Sequence, residues 1–437
     1  MRLPAAIFGA AAVLTGAAAA QTTITPASDT TRYLLDTGLH VFAGLGAVLF
    51  VFAYGLRDIG LSRVQNAPAA CLRMLSAFAV SIIGFWLSGH MLAYSIEPGG
   101  LLGDFGAWRL DDADPMAAES ASGAIWFFQA ALAAMAAAVV ASSVSERVRL
   151  WSFLIFVAFL SALIYPVCIS WVWGGGYFSA AWRYQDLGGA TIHIVAGAAA
   201  LAAAFVVGPR SGRFNAKSPW IAATTLLPLS VFASGLAWIG LQGVFAGLHG
   251  SMSSIEDAVW FGSVMANAGV ATAASVLAAL AITQFVYARP GLVTTMCAMA
   301  AGPISLAADP VSPNLWQALI IGAVGGVIVS VAPPFFARAR IDDAGFVAPT
   351  HLLCGIWAAL IASWTNPDIG FGGQAIGAAA VAGFALIMSA LVWMALKYSF
   401  GVRLRPASSV ETLGADDAPE RRRPSTDSEG SRPSPSS

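Results

Sequence analysis

The sequence predicts an all-α polytopic membrane protein of about eleven spans, built as an inverted 5+5 repeat plus a final helix. Three observations predict it. Of 437 residues, 58% are hydrophobic and 10% charged, against about 25% charged in a soluble domain. The apolar residues fall in runs long enough to cross a bilayer, and inside hydrocarbon such runs must close their backbone hydrogen bonds as helices. The basic residues fall between those runs on alternate sides. A net charge of −1 by itself selects no partner.

In chain order, Arg2, the apolar stretch from Ala5 to Leu14 and Ala18-Ala19-Ala20 before Gln21 read as a signal peptide over residues 1–20. Cleavage leaves the mature N-terminus outside. Spans follow near 34–56, 68–95, 121–143, 149–172, 187–208, 219–245, 258–286, 292–308, 315–334, 347–364 and 373–399. Each approaches the roughly 20 residues a 30 Å hydrocarbon layer requires, the eighth being shortest. With the N-terminus outside, Arg57, Arg63, Arg73, Arg147, Arg149, Arg210, Arg213, Lys217, Arg289, Arg338 and Arg340 all face inward. Only Arg32, Arg109 and Arg183 face outward. This positive-inside bias orients a multi-pass protein of the cell (inner) membrane with a cytoplasmic C-terminus. The chain therefore divides into a membrane domain over 33–402 and a tail over 403–437, whose Pro, Ser and charge content predicts disorder.

Cys71, Cys168, Cys297 and Cys354 lie in apolar runs without metal-ligand spacing and read as small buried residues. No cofactor is expected. Gly174-Gly175-Gly176 lacks the lysine of a phosphate loop, and no Ser-His-Asp set shares one face, so nothing points to an enzyme.

Histidines carry the remaining chemistry. His249 falls in an outward loop and reads as solvated, while His40 and His90 in the first two spans read as packing or hydrogen-bonding groups. His193 and His351 differ. The first follows Asp186 in DLGGATIH, the second follows Asp343 in DDAGFVAPTH, and their spans run in opposite directions. A pseudo-two-fold axis in the membrane plane brings the two imidazoles together. Such a pair shares a proton, one ring donating and the other accepting, and offers hydrogen bonds to a small polar species in an apolar passage.

Several motifs in order carry a family resemblance: GLRDIGLSRVQN (55–66), WFFQAALAAMAAAVVASSVSERVRL (126–150), VWGGGYF (172–178), DLGGATIHIVAG (186–197), AWIGLQG (237–243), DDAGFVAPTHLLCGIW (342–357) and FGVRLRPASSVETLGADD (400–417). Over residues 33–416 the chain resembles the ammonium transporter family, which includes the Rhesus-type proteins. The resemblance implies that family's fold and a homotrimer with one pore per subunit. It implies recruitment of ammonium outside, its deprotonation, and passage of ammonia beyond His193 and His351 while the proton is relayed. Asp186 takes the role of the acid supporting the pore mouth, at a spacing one residue shorter than the family pattern, and Asp343 the inner acid. Trp173 and Phe128 match the recruiting aromatics. Leu132 and Leu241 replace the two gate phenylalanines, while Gln242 and Phe245 replace an asparagine and a hydroxyl residue. A PII-type signalling protein is the partner the resemblance implies for the cytoplasmic face. The alternative is an ammonium sensor with little flux, working through a separate partner.

Overall fold

The computed structural model describes residues 27–113, 118–214 and 226–404. The expected signal peptide, Lys217 and all but the first residues of the tail lie outside the described residues. Nine helices there are long and apolar enough to cross a membrane. They are α1 (Asp29–Leu61), α2 (Val64–Tyr94), α3 (Ser122–Ser143), α4 (Leu150–Ser170), α5 (Ala190–Val207), α6 (Leu227–His249), α7 (Ile255–Tyr287), α9 (Leu315–Arg338) and α11 (Phe371–Ser399). Two shorter elements stand at the eighth and tenth expected positions: α8 (Leu292–Ile304) and α10, residues 348–365. A short helix, Tyr177–Trp182, lies between α4 and α5. No strand occurs among the described residues.

Several boundaries differ from expectation. α1 continues past position 56 to Leu61 and carries Arg57 and Asp58 inside, both buried. Asp58 accepts an ion pair from Arg73 at 3.0 Å, so neither Arg57 nor Arg73 is a solvated loop charge. A buried acid three residues before the helix end makes the continuation tolerable. Cys168, Cys297 and Cys354 are buried, whereas Cys71 is only half-buried.

Helix α8 has 13 residues, about 20 Å at 1.5 Å per residue, and the non-helical chain that follows it through Pro310 stays buried. Asn267 of α7 donates its amide to the carbonyls of Pro310 at 3.1 Å and Pro313 at 2.7 Å.

Small residues set the packing. α1 lies on α3 and α6, α7 on α8 and α9, and α5 on α3, α10 and α11. Between α1 and α6, a Cβ on Gly46 would sit 3.1 Å from the Cα of Gly243, and one on Gly240 2.7 Å from the Gly46 carbonyl oxygen. With lipid as apolar as the helices, close backbone approach of this kind supplies the attraction. The alanine-rich α3 and α5 are buried along most of their length and form the centre.

At the end of the bundle where α1 and α3 terminate, ion pairs tie the two halves together. Arg210 binds Asp342 through Nε at 2.8 Å and Nη2 at 2.9 Å, and its Nη1 lies 3.5 Å from Glu146. Glu146 also accepts from Arg63 Nε at 3.1 Å and Asn66 at 2.9 Å. Arg147 donates to the Asp342 carbonyl at 2.5 Å. Burial acts to raise the Asp342 carboxyl, but the Arg210 hydrogen bonds and the charges of Arg210 and Arg147 hold it at about 2, below the ordinary value near 3.9. A depressed folded-state pKa contributes stability above the unfolded value and loses it as pH falls toward the folded one. The detergent-solubilised protein should therefore lose stability between about pH 4 and pH 2. Asp342→Ala should cost about 1.5–3 kcal/mol at neutral pH, because it removes the charged hydrogen bonds of Arg210 and leaves Glu146 to balance that guanidinium. Thermal unfolding followed by size-exclusion chromatography checks both; an unchanged midpoint in the variant contradicts the account.

Candidate functional site

His193 stands on the first turns of α5, and the element begins where it does because of Asp186. That carboxylate accepts the backbone N–H groups of Gly189 and Ala190 at 2.8 Å each and of Thr191 at 2.7 Å. Gly189 takes φ +97° to allow this, a backbone state glycine reaches without strain. The other half repeats the device, with Asp343 accepting the Ala348 N–H at 2.7 Å at the start of α10. Burial pushes both carboxyls above the usual range, opposed by these backbone N–H groups.

The two elements then interlock reciprocally. Gly197, four residues past His193, leaves no room for a Cβ against the Leu352 backbone N. Gly355, four residues past His351, would place a Cβ 3.0 Å from Ile194 and 3.2 Å from the Ala190 carbonyl. Each glycine thus faces the residue just after the opposite histidine.

The imidazoles meet at the crossing, with His351 Nδ1 3.0 Å from His193 Nδ1 and the rings 5.0 Å apart. Both residues are buried. A contact between two ring nitrogens requires one donor and one acceptor, so at least one Nδ1 is unprotonated. On its far side His351 Nε2 lies 2.5 Å from the Tyr54 hydroxyl. Tyr54 is stacked on Phe50 with centroids 4.3 Å apart. Tyr54, His351 and His193 form a hydrogen-bonded chain whose donor direction reverses as a whole. If the Tyr54 hydroxyl donates, His351 Nδ1–H donates onward; if His351 Nε2–H donates to Tyr54, His193 Nδ1–H donates to His351. In either polarity His193 Nε2 is the end left without a partner among the described residues.

One turn past Tyr54 on α1, Arg57 donates through Nη2 to the Gly345 carbonyl at 2.9 Å and to Cys297 Sγ at 3.0 Å. Its Nη1, Ser142 Oγ and Asp343 Oδ1 are buried without hydrogen-bond partners among the described residues.

At the start of α5, Trp173 Nε1–H donates to the Asp186 carbonyl at 2.8 Å, joining the aromatic to the acid loop. Phe245 is buried beside that loop, 3.0 Å from where a Gly188 Cβ would lie. Phe128 is buried between α1 and α6, against Gly44 and Gly247. Leu132 and Leu241 are fully buried in the apolar core. Gln242 turns back to donate to the Trp238 carbonyl at 3.1 Å, leaving its Oε1 buried and unpartnered. No group of three metal-ligating side chains occurs among the described residues.

The other histidines are placed apart from the pair. His40 Nδ1–H donates to the Asp36 carbonyl at 2.9 Å. His90 packs against Tyr94 and Trp108. His249 departs from the solvated loop expected for it: it ends α6, pairs with Asp257 at 2.7 Å and stacks on Trp260 at 4.1 Å. The acid at the start of α7, held by the Ser254 cap, supplies the partner that the position in the sequence did not reveal.

A profile of the Ammonium Transporter Family matches residues 39–421. The chain belongs to the ammonium transporter family. Among relatives, this family member is 30% identical over 420 residues to a putative ammonium transporter, sll1017, of Synechocystis sp., covering 92% of this chain and 91% of the relative. It is 28% identical over 339 residues to ammonium transporter Amt2 of Archaeoglobus fulgidus, covering 74% and 70%. Among solved structures, a Sensor Amt Protein superposes with a TM-score of 0.81 at 23% identity over 90% of this chain and all of that one. Mep2 of Candida albicans superposes at 0.76 and 19% identity, over 87% and 89%. At these identities the superpositions establish that the family member shares their fold.

Sequence reasoning missed Tyr54 and Arg57. The only signal available was a tyrosine and a charge one turn apart within α1, and ending the span at the charge concealed it. Tyr54→Phe should strand His351 Nε2 in a buried site and cost about 1–3 kcal/mol. Unfolding of purified protein in detergent measures it, and no loss means that this nitrogen finds another partner.

Proposed function

We propose that this chain conducts ammonium nitrogen across the cell membrane. Ammonium is drawn to an outer mouth at Trp173 and Phe128, gives up its proton, and passes His193 and His351 as ammonia while the histidine chain handles the proton. The observation that carries this reading is the 3.0 Å contact between two buried imidazoles from oppositely directed halves. It offers donor and acceptor sites in an apolar passage, at a chain end, His193 Nε2, left for a passing molecule. Asp186 and Asp343 act as supporting acids by fixing the starts of the two histidine-bearing elements. Membership of the family and the names of its relatives support the same substrate.

The same reading includes eleven crossings, with α8 and α10 counted, the N-terminus outside and the C-terminus cytoplasmic, a homotrimer, and a PII-type protein as cytoplasmic partner. Leu132 and Leu241 have no π face, so the outer mouth attracts the cation less strongly, by about 0.5–2 kcal/mol. Their complete burial favours a second reading, an ammonium sensor with little flux that signals through a separate partner.

Reconstituted vesicles test the two. Ammonium-dependent ammonia entry, read by a lumenal pH dye, should fall roughly 100-fold or more in His193→Ala. Flux that is equal in the variant sinks the pore assignment, and binding without flux in the wild type selects the sensor. Leu241→Phe should lower the half-saturating ammonium concentration about 2- to 30-fold, the range that corresponds to a cation–π contact.

A further inference from the structure

Arg57 has no part in the function proposed above, yet it is one of the most expensive residues in the molecule. It is 3% exposed and stands one helical turn inward of Tyr54 on α1. Its guanidinium carbon lies 5.7 Å from the centroid of the Tyr54 ring, and the Tyr54 hydroxyl in turn holds His351. Guanidinium keeps its proton in proteins, so this is a permanent charge beside the histidine chain.

Its hydrogen-bonding partners are neutral acceptors from the opposite half, the Gly345 carbonyl and the Cys297 sulfur. Among the described residues no acid lies within ion-pair distance of it. Asp58 pairs with Arg73 at 3.0 Å, and Asp343 turns one oxygen to the Ala348 N–H and leaves the other without a hydrogen bond, acting on Arg57 only from beyond ion-pair distance. Nη1 is left without a partner, and it lies 3.2 Å from where a Gly345 Cβ would be; Ser142 Oγ crowds the same point. A Cβ would close this recess, and glycine leaves it open. A polar recess that presents a fixed positive charge therefore lies one turn inward of Tyr54.

A buried charge with no direct ion-pair partner is costly, and in a membrane protein it marks function. A neutral molecule leaving the histidine pair toward the cytoplasm meets hydrogen-bonding groups here. A cation meets repulsion that the apolar surroundings screen poorly. A proton moved inward along the His193–His351–Tyr54 chain meets the same repulsion.

We propose that Arg57 is a specificity-determining residue that bars positive charge from the inner half of the passage, so that ammonia crosses without net charge. This rests on the transport reading. The N–H bond of ammonium breaks on the outer side, its electron pair stays on nitrogen, and the proton returns to outer water, directly or by way of His193 Nε2. Ammonia alone continues inward and takes up a proton from cytoplasmic water.

The test measures current on a solid-supported membrane and lumenal alkalinisation in parallel, on the same proteoliposomes under an ammonium pulse. Wild-type protein should alkalinise the lumen with little current. Arg57→Met, which keeps an unbranched apolar stem and removes the charge, should raise the current per ammonia by about tenfold or more. About one charge carried per ammonia by the wild type overturns the proposal whether or not the variant folds. An unchanged ratio in a folded Arg57→Met protein overturns it as well. Absence of any ammonia flux in the wild type is a separate result, because it sinks the transport reading and this assignment with it.

Discussion

Two imidazoles can touch in the middle of this bundle because two glycines let the elements that carry them cross at backbone distance. Gly197 faces Leu352 and Gly355 faces Ile194, each one turn beyond a histidine. Any side chain at either place would push α5 and α10 apart, and the 3.0 Å nitrogen contact would open. Rigid cores do not absorb such a shift gradually. The acids at 186 and 343 serve the same end, since each fixes where its element starts and hence where its histidine points.

Much of this was legible beforehand. The matched spacing of an acid and a histidine in two oppositely directed spans is a long-range signal that survives in the sequence, because both halves solve one geometric problem. Span positions were legible because lipid tolerates few charges, and the same rule misplaced Arg57, since it treats the first charge as the end of a span. Nothing local marks Tyr54 as a partner of His351, 297 positions away. Gly197 and Gly355 are two of 44 glycines and gain meaning only when the crossing is seen. His249 looked solvated because its partner, Asp257, is brought to it by the turn between α6 and α7.

The distribution of charge gives the molecule its polarity. The loops at one end of the bundle are rich in arginine, yet several of those side chains are consumed by the structure: Arg73 by Asp58, Arg63 and Arg210 by Glu146 and Asp342. The charges from which the sequence predicts orientation form, in the folded chain, the clamp between its halves. Arg57 stands apart from that clamp, with a carbonyl and a sulfur as its hydrogen-bonding partners.

The 13-residue α8 carries a different consequence. Its helical length of about 20 Å falls short of a roughly 30 Å hydrocarbon layer, and the chain beyond it is irregular yet buried. Irregular backbone survives at membrane depth only when protein, not lipid, satisfies it, and here Asn267 reaches across from α7 to do so. That carboxamide, with Asp309 accepting the Val311 and Ser312 N–H groups and the Leu187 N–H reaching the Ala308 carbonyl, lets one wall of the bundle be built from a half-length rod, freeing the sequence after Ile304 to turn inside the protein instead of at the headgroups.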